Sequence, residues 1–174
     1  FAERAAEEGK TGNSVLLDRN AVTYLEGHRE IPCEEQGGIY FLNRNKLSLY
    51  KPDSNELTEV HQFDNVQDVY VANDRLYILD RSSNITIYNL LTQQEEKKLQ
   101  YGDHASSIGA DSKGRIYLAE SNGNGDDYDL YLLSPEGTLL SQALSEEAVY
   151  GFCGFDESNG NYYVDTYNNW RYWG

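Results

Sequence analysis

Past residue 14 the chain never sustains apolar residues at i, i+3, i+4 and i+7, the spacing that sets one helix face against a core. It runs instead in short apolar bursts cut by Gly, Asn, Asp, Ser and Pro, a pattern that predicts strands. Two kinds of burst recur. The first shows no alternation: IYFL at 39–42, LYIL at 76–79, IYLA at 116–119 and YYV at 162–164. A strand of that kind is expected to be covered on both faces. The second kind alternates, most cleanly in Leu47-Ser48-Leu49-Tyr50 and Ile85-Thr86-Ile87-Tyr88, and predicts one buried face and one wetter face.

The bursts follow a fixed order. A strand of mostly small residues precedes three of the continuous bursts: DVYVAN at 68–73, SSIGAD at 106–111 and YGFCGFD at 150–156. Two of these run into the burst through a common turn, Asp111 to Gly114 and Asp156 to Gly160. There the Asp carboxylate is expected to bond the backbone two residues on, and the Gly to supply positive φ. The alternating strand comes next. Then come a tight turn (Pro52-Asp53-Ser54-Asn55 or Pro135-Glu136-Gly137) and a fourth segment at 56–63, 95–100 or 138–145. The middle fourth segment, EEKKLQ, is polar enough to survive only at a sheet edge, where charge discourages aggregation.

Tyr40, Tyr77, Tyr117 and Tyr163 mark the repeat, at intervals of roughly forty residues. Four strands graded from buried to exposed cannot bury their faces alone, but such sheets can stack around an axis. The predicted fold class is therefore all-β: a β-propeller of about four to five four-stranded blades, or an incomplete propeller arc, behind a short helical or disordered N-terminal tail. The tail is 1–13, and the repeats fill 14–174 as approximate units 14–36 (partial), 37–65, 66–103, 104–147 and 148–174 (partial). The fainter VLLDRNAVTYL at 15–25 represents the first unit, since the interval from Leu17 to Leu42 is too short for a full blade. The polar turns could close as a small ring, or leave an open arc whose exposed blade face drives self-association.

LYILDRSSNITIYN and GRIYLAESNGNGDDYDLYLLSPEG resemble NHL-type and related six-bladed propeller repeats, which pair an IYxAD-like strand with an N-x-I-x-x-aromatic strand and a Gly-containing turn. The resemblance covers roughly 37–174 and speaks to architecture; no Trp-Asp dipeptide of the WD type occurs.

Composition narrows the partners. A formal charge of −15 argues against nucleic acid and anionic membranes, which need a basic face, while permitting a cation or a basic partner. No apolar run approaches the ~20 residues that insert into a bilayer. The chain starts at Phe1 and contains no Met, which points to a mature or excised fragment. Cys33 and Cys153 show no metal spacing; two buried free thiols are expected in preference to a disulfide.

In a propeller the turns after the second strands share one end of the blades with the connections between blades, and that end is the expected binding face. Asp18, Asn43, Asp80, Glu120 and Asp165 open those turns. Gathered about an axis they would suit a hard cation such as Ca²⁺, although the same residue types simply start turns, and Arg19, Arg44 and Arg81 follow three of them. The acidic loop ESNGNGDDYD at 120–129 fails as an EF-hand, because Tyr131 stands at its twelfth position; Glu120, Asn122, Asp126 and Asp165 are the metal candidates for an irregular Ca²⁺ site. Asp80, Arg81 and His104 are the ligand-binding candidates on the turns, joined by Trp170 and Tyr172 from the aromatic end. There flat rings beside Asn168 and Asn169 suit sugar or peptide, or else cover the last blade.

No nucleophile–base constellation, GxSxG or HExxH occurs. The sequence therefore favours a non-catalytic module that binds a protein, peptide or glycan on its turn face, needs no cofactor and works in an extracytoplasmic or cell-surface setting. The alternative is a divalent-metal-dependent hydrolase resembling gluconolactonase-like propellers. There an axial cation polarises a lactone carbonyl, with Asn43, Glu120 and Asp165 as the nearest candidates.

Overall fold

The computed structural model describes residues 29–123 and 127–166 in full, and the backbone of 170–173. The proposed tail at 1–13, the faint repeat at 15–25 with Asp18 and Arg19, and Asp126 lie outside the described residues. The chain divides into two compact units, Phe1–Asp64 and Asn65–Gly174, each treated by itself below.

The first unit holds one antiparallel meander, sheet I: β1 (Arg29–Cys33), β2 (Gly38–Asn43), β3 (Lys46–Lys51) and β4 (Glu56–Gln62), paired in chain order. Its first strand comes from the stretch that the sequence pattern assigns to the partial unit 14–36. Tyr40, Phe41 and Leu42 of β2 are buried in succession, as a burst without alternation predicts. β3 departs from its prediction: Ser48 is buried along with Leu47, Leu49 and Tyr50. Ser48 lies in register between Phe41 of β2 and Glu59 of β4.

The second unit repeats the meander. Sheet II is β5 (Val66–Ala72), β6 (Arg75–Asp80), β7 (Asn84–Asn89) and β8 (Gln94–Gln100). Sheet III is β9 (Ala105–Ala110), β10 (Ile116–Ser121), β11 (Tyr128–Leu133) and β12 (Leu139–Ser145). Sheet IV is β13 (Val149–Asp156), β14 (Asn161–Thr166) and β15 (Trp170–Trp173). Every pairing is antiparallel and sequential, so the topology needs no crossover.

The sheets stack through their faces. Tyr77, Leu79, Ile85 and Ile87 of sheet II meet Ile108, Ala110, Ile116, Leu118 and Leu133 of sheet III. The opposite face of sheet III, with Tyr117, Ala119 and Leu130, meets Val149, Phe152, Tyr162 and Val164 of sheet IV. Even and odd positions of β10 thus serve two different interfaces, which is why IYLA shows no alternation. Each Val, Leu, Ile or Phe side chain so removed from water stabilises the stack by about 1.5–3 kcal/mol. The first strands are neighbours: β5 runs beside β9, and β9 beside β13. Their close approach depends on small residues. A Cβ on Gly109 would lie within 3 Å of Phe152 and of the Tyr162 hydroxyl.

Polar bonds cross the same interfaces. Asp68 Oδ2 accepts from the Ile108 backbone N–H at 2.9 Å, and Ser83 Oγ accepts from that of Ala105 at 2.9 Å. The Tyr162 hydroxyl donates to the Ala110 carbonyl at 2.7 Å. Small first strands, covered second strands and exposed fourth strands, stacked face to face with first strands adjacent, make this a β-propeller fold.

Two expectations need correction at sheet IV. The burst at 162–164 alternates: Tyr162 and Val164 are buried against sheet III while Tyr163 is half-buried, because only one face of β14 packs on a described sheet. The thiols are free and Cys33 is buried, but Cys153 is exposed. β13 is irregular between Phe152 and Gly154, so Cys153 falls at a bulge and misses the packed face that Phe152 occupies.

Candidate functional site

The second-to-third-strand turns and the inter-sheet connections share one end of sheets II and III, as the repeat predicts. Their polar groups are engaged in building that end. Asp80 Oδ1 accepts from the backbone N–H groups of Ser82 at 2.8 Å and Asn84 at 2.9 Å, and Oδ2 accepts from Asn84 Nδ2 at 2.9 Å. Burial alone would raise the Asp80 pKa, but these bonds to Asn84 and Ser82 outweigh it and hold the carboxyl below its usual value. Glu120 Oε1 accepts from the backbone N–H of Asp103 at 2.9 Å and of His104 at 2.5 Å, clasping the connection between β8 and β9. Glu120 and His104 are thereby brought together, through the His104 backbone and not its ring.

The other predicted residues are dispersed or only partly described. Arg81 is exposed, and its backbone N–H donates to the Asn65 carbonyl at 3.0 Å. Asn43 ends β2 opposite Lys46, in the other unit from Glu120 and Asp165. Asn122 spans the acidic loop by donating its N–H to the Asp127 carbonyl at 3.2 Å. Asp165 is exposed on β14, in register with Trp170 of β15, and Tyr172 pairs with Tyr163. Among the described residues no three His, Cys, Asp or Glu side chains are grouped to hold a metal ion.

A cleft of about 780 Å³ opens at the opposite end of sheets II and III. Its floor is Tyr77 and Ile87; its walls carry Arg75, Glu96, Lys97 and Lys113, with Pro135 at the rim. The first-to-second-strand turns build one side. Asn73 Nδ2 donates to the Asp111 carbonyl at 2.7 Å and to the Tyr77 hydroxyl at 3.2 Å, tying the two sheets across the cleft's base.

Asp111 fixes the turn that carries Lys113. Its Oδ1 accepts from the backbone N–H groups of Lys113 and Arg115, both at 3.0 Å, and its Oδ2 from Arg115 Nε at 2.6 Å. The Tyr117 hydroxyl donates to the same carboxylate at 3.3 Å. Burial, then the negative charge of Asp111, pushes Tyr117 up to about 12.

On the facing wall Arg75 Nε donates to Glu96 Oε2 at 2.7 Å, and Asn89 Nδ2 donates to Glu96 Oε1 at 2.7 Å. The bond from Arg75, then that from Asn89, holds the Glu96 carboxyl below its ordinary value. Lys97 Nζ reaches the Pro135 carbonyl at 3.2 Å. The cleft therefore offers donors, acceptors and both charges over an apolar floor, and can hold an amphipathic segment of chain. Sequence reasoning missed it because β8 reads as a charged edge and nothing more; the Lys in the Asp111–Gly114 turn was the one available signal.

No protein-family model and no curated protein sequence matches the chain. Solved structures do. The chain is similar to hydrazine synthase of Kuenenia stuttgartiensis, with a TM-score of 0.53 and 14% identity over 82% of this chain and 48% of that one. It is similar to BamB from Moraxella catarrhalis, with a TM-score of 0.55 and 10% identity over 78% of this chain and 38% of that one. The WD40 β-propeller domain of Doa1 gives 0.56 and 12% identity over 81% of this chain and 47% of that one. The chain thus spans less than half the length of these structures. The likeness is one of fold, and that fold is the β-propeller.

Proposed function

We propose that this chain is a non-catalytic interaction module whose propeller sheets present a protein or peptide partner with the cleft between sheets II and III, in an extracytoplasmic or surface protein. One observation carries the reading. Asp80 and Glu120 at the turn end are spent on backbone bonds, whereas the roomy space at the other end is lined by mixed charges over Tyr77 and Ile87. The NHL-like character of the β6–β7 hairpin belongs to the same proposal and is supported by its LYILD strand followed by the alternating NITIY strand. No observation on the described residues favours the hydrolase reading.

A displayed library of random peptides, selected on the intact chain, tests this. The expected result is an enriched peptide whose affinity drops about tenfold in Lys113→Glu, while Ca²⁺, Zn²⁺ and EDTA leave Tm unchanged. A Tm rise of several degrees with a divalent ion, together with lactone hydrolysis abolished by EDTA, would instead support the metal-dependent enzyme.

A further inference from the structure

We propose that the outer edge of β12 accepts an extended segment of another protein as an added strand, one with an apolar centre and Lys or Arg at its ends. This site is separate from the cleft, and it rests on the interaction reading only in requiring a protein partner.

The three fully described outer strands differ sharply. β4 (ELTEVHQ) carries Glu56 and Glu59; β8 (QEEKKLQ) carries Glu95, Glu96, Lys97 and Lys98; β12 (LLSQALS) carries no charge. Charge on an outer strand keeps other chains from pairing with it. β12 lacks that protection and also exposes leucines: Leu139 is 41% exposed, Leu140 54% and Leu144 59%. It is the last strand of its sheet. Its bulge is confined to the start, beside Leu139, and 141–145 then pairs regularly with β11. Along that run alternate backbone N–H and C=O groups point away from β11, in the arrangement a further strand needs.

The ends of the strand identify the occupant. Glu136 precedes β12, and Glu146 and Glu147 follow it. Glu136 and Glu146 are exposed, while Glu147 accepts from the Thr166 hydroxyl at 2.9 Å. A second copy pairing antiparallel through β12 would set Glu136 of each chain near Glu146 of the other, between molecules that each carry −15. Like charges across a strand pair are destabilising. A segment with basic ends meets carboxylates at both ends and leucines between them.

The test uses the full chain and three labelled peptides: Lys-Lys-Val-Thr-Val-Thr-Val-Lys-Lys, the same core with Glu ends, and the Lys-ended core with Pro at its centre. Fluorescence anisotropy should show the Lys-ended peptide binding about tenfold more tightly than the Glu-ended one, and no binding of the Pro peptide. Amide exchange should show new protection at 141–145. Glu146→Lys should narrow the preference, and Leu144→Lys should weaken binding at unchanged Tm, since Leu144 is exposed. Equal affinity for the three peptides, or protection elsewhere, overturns the proposal. A dimeric solution mass with 141–145 protected before peptide is added overturns it in favour of a second copy. Peptide binding lost in Lys113→Glu places the peptide in the cleft, which overturns the edge site and leaves the interaction reading standing.

Discussion

Asp111 shows how one side chain can set up the geometry around it. It is almost fully buried, yet its carboxylate receives two backbone N–H groups, the Arg115 guanidinium and the Tyr117 hydroxyl. The turn it closes ends in Gly114 at φ +75°, where a side chain would be strained. Asp156 and Gly160, at φ +73°, repeat the device, with Asp156 Oδ1 accepting from the Ser158 N–H at 2.9 Å. Glu96 works differently, as a half-exposed acceptor shared by Arg75 and Asn89. Its folded carboxyl lies below the ordinary value of 4.5. Its contribution to stability is therefore present above that value and is lost as pH falls through the lowered one. Exposure limits that contribution to below about 1 kcal/mol. Glu96→Gln should lower Tm at neutral pH, and the gap from the parent should close below pH 4.5 in thermal melts run across the acid range. The Asp–Gly turns were legible in the sequence because their bonds are local. The Glu120 clasp on the Asp103–His104 backbone was not, because it joins residues that only the fold brings together.

Strands differ in what covers them, and that decided which patterns could be read. β6 and β10 are buried along consecutive positions, as their bursts imply, and in β10 the reason is a sheet on each side. The burst in β14 looks the same in sequence but, among the described residues, packs on one side only, a difference that depends on neighbours and not on local composition. β8 was legible as an outer strand from its charges, while the cleft beside it depends on turns from two sheets and left only Lys113 as a trace. The first strands carry a stricter demand. β9 passes between β5 and β13 with Gly109 against Phe152 and Tyr162. Gly109→Ala should destabilise the second unit by about 1–3 kcal/mol through overpacking. Urea unfolding should show it as a lower midpoint with an unchanged m-value.

Asn65–Gly174 as a whole is built by radial stacking: three meanders whose first strands lie side by side and whose broad faces press together. The roughly forty-residue repeat made the sheets legible; the bonds that fix their mutual placement, Asp68 to Ile108 and Tyr162 to Ala110, span intervals that no local pattern marks. The cleft and the β12 edge both follow from that placement, one between sheets and the other at a rim. The most direct test is a nuclear Overhauser spectrum of the intact chain, read at the Tyr162 ring. The stack predicts strong cross-peaks from that ring to the Gly109 α-protons and to the Tyr117 ring, whose centroid lies 4.0 Å away. A Tyr162 ring that sees only protons of β13, β14 and β15 would contradict it.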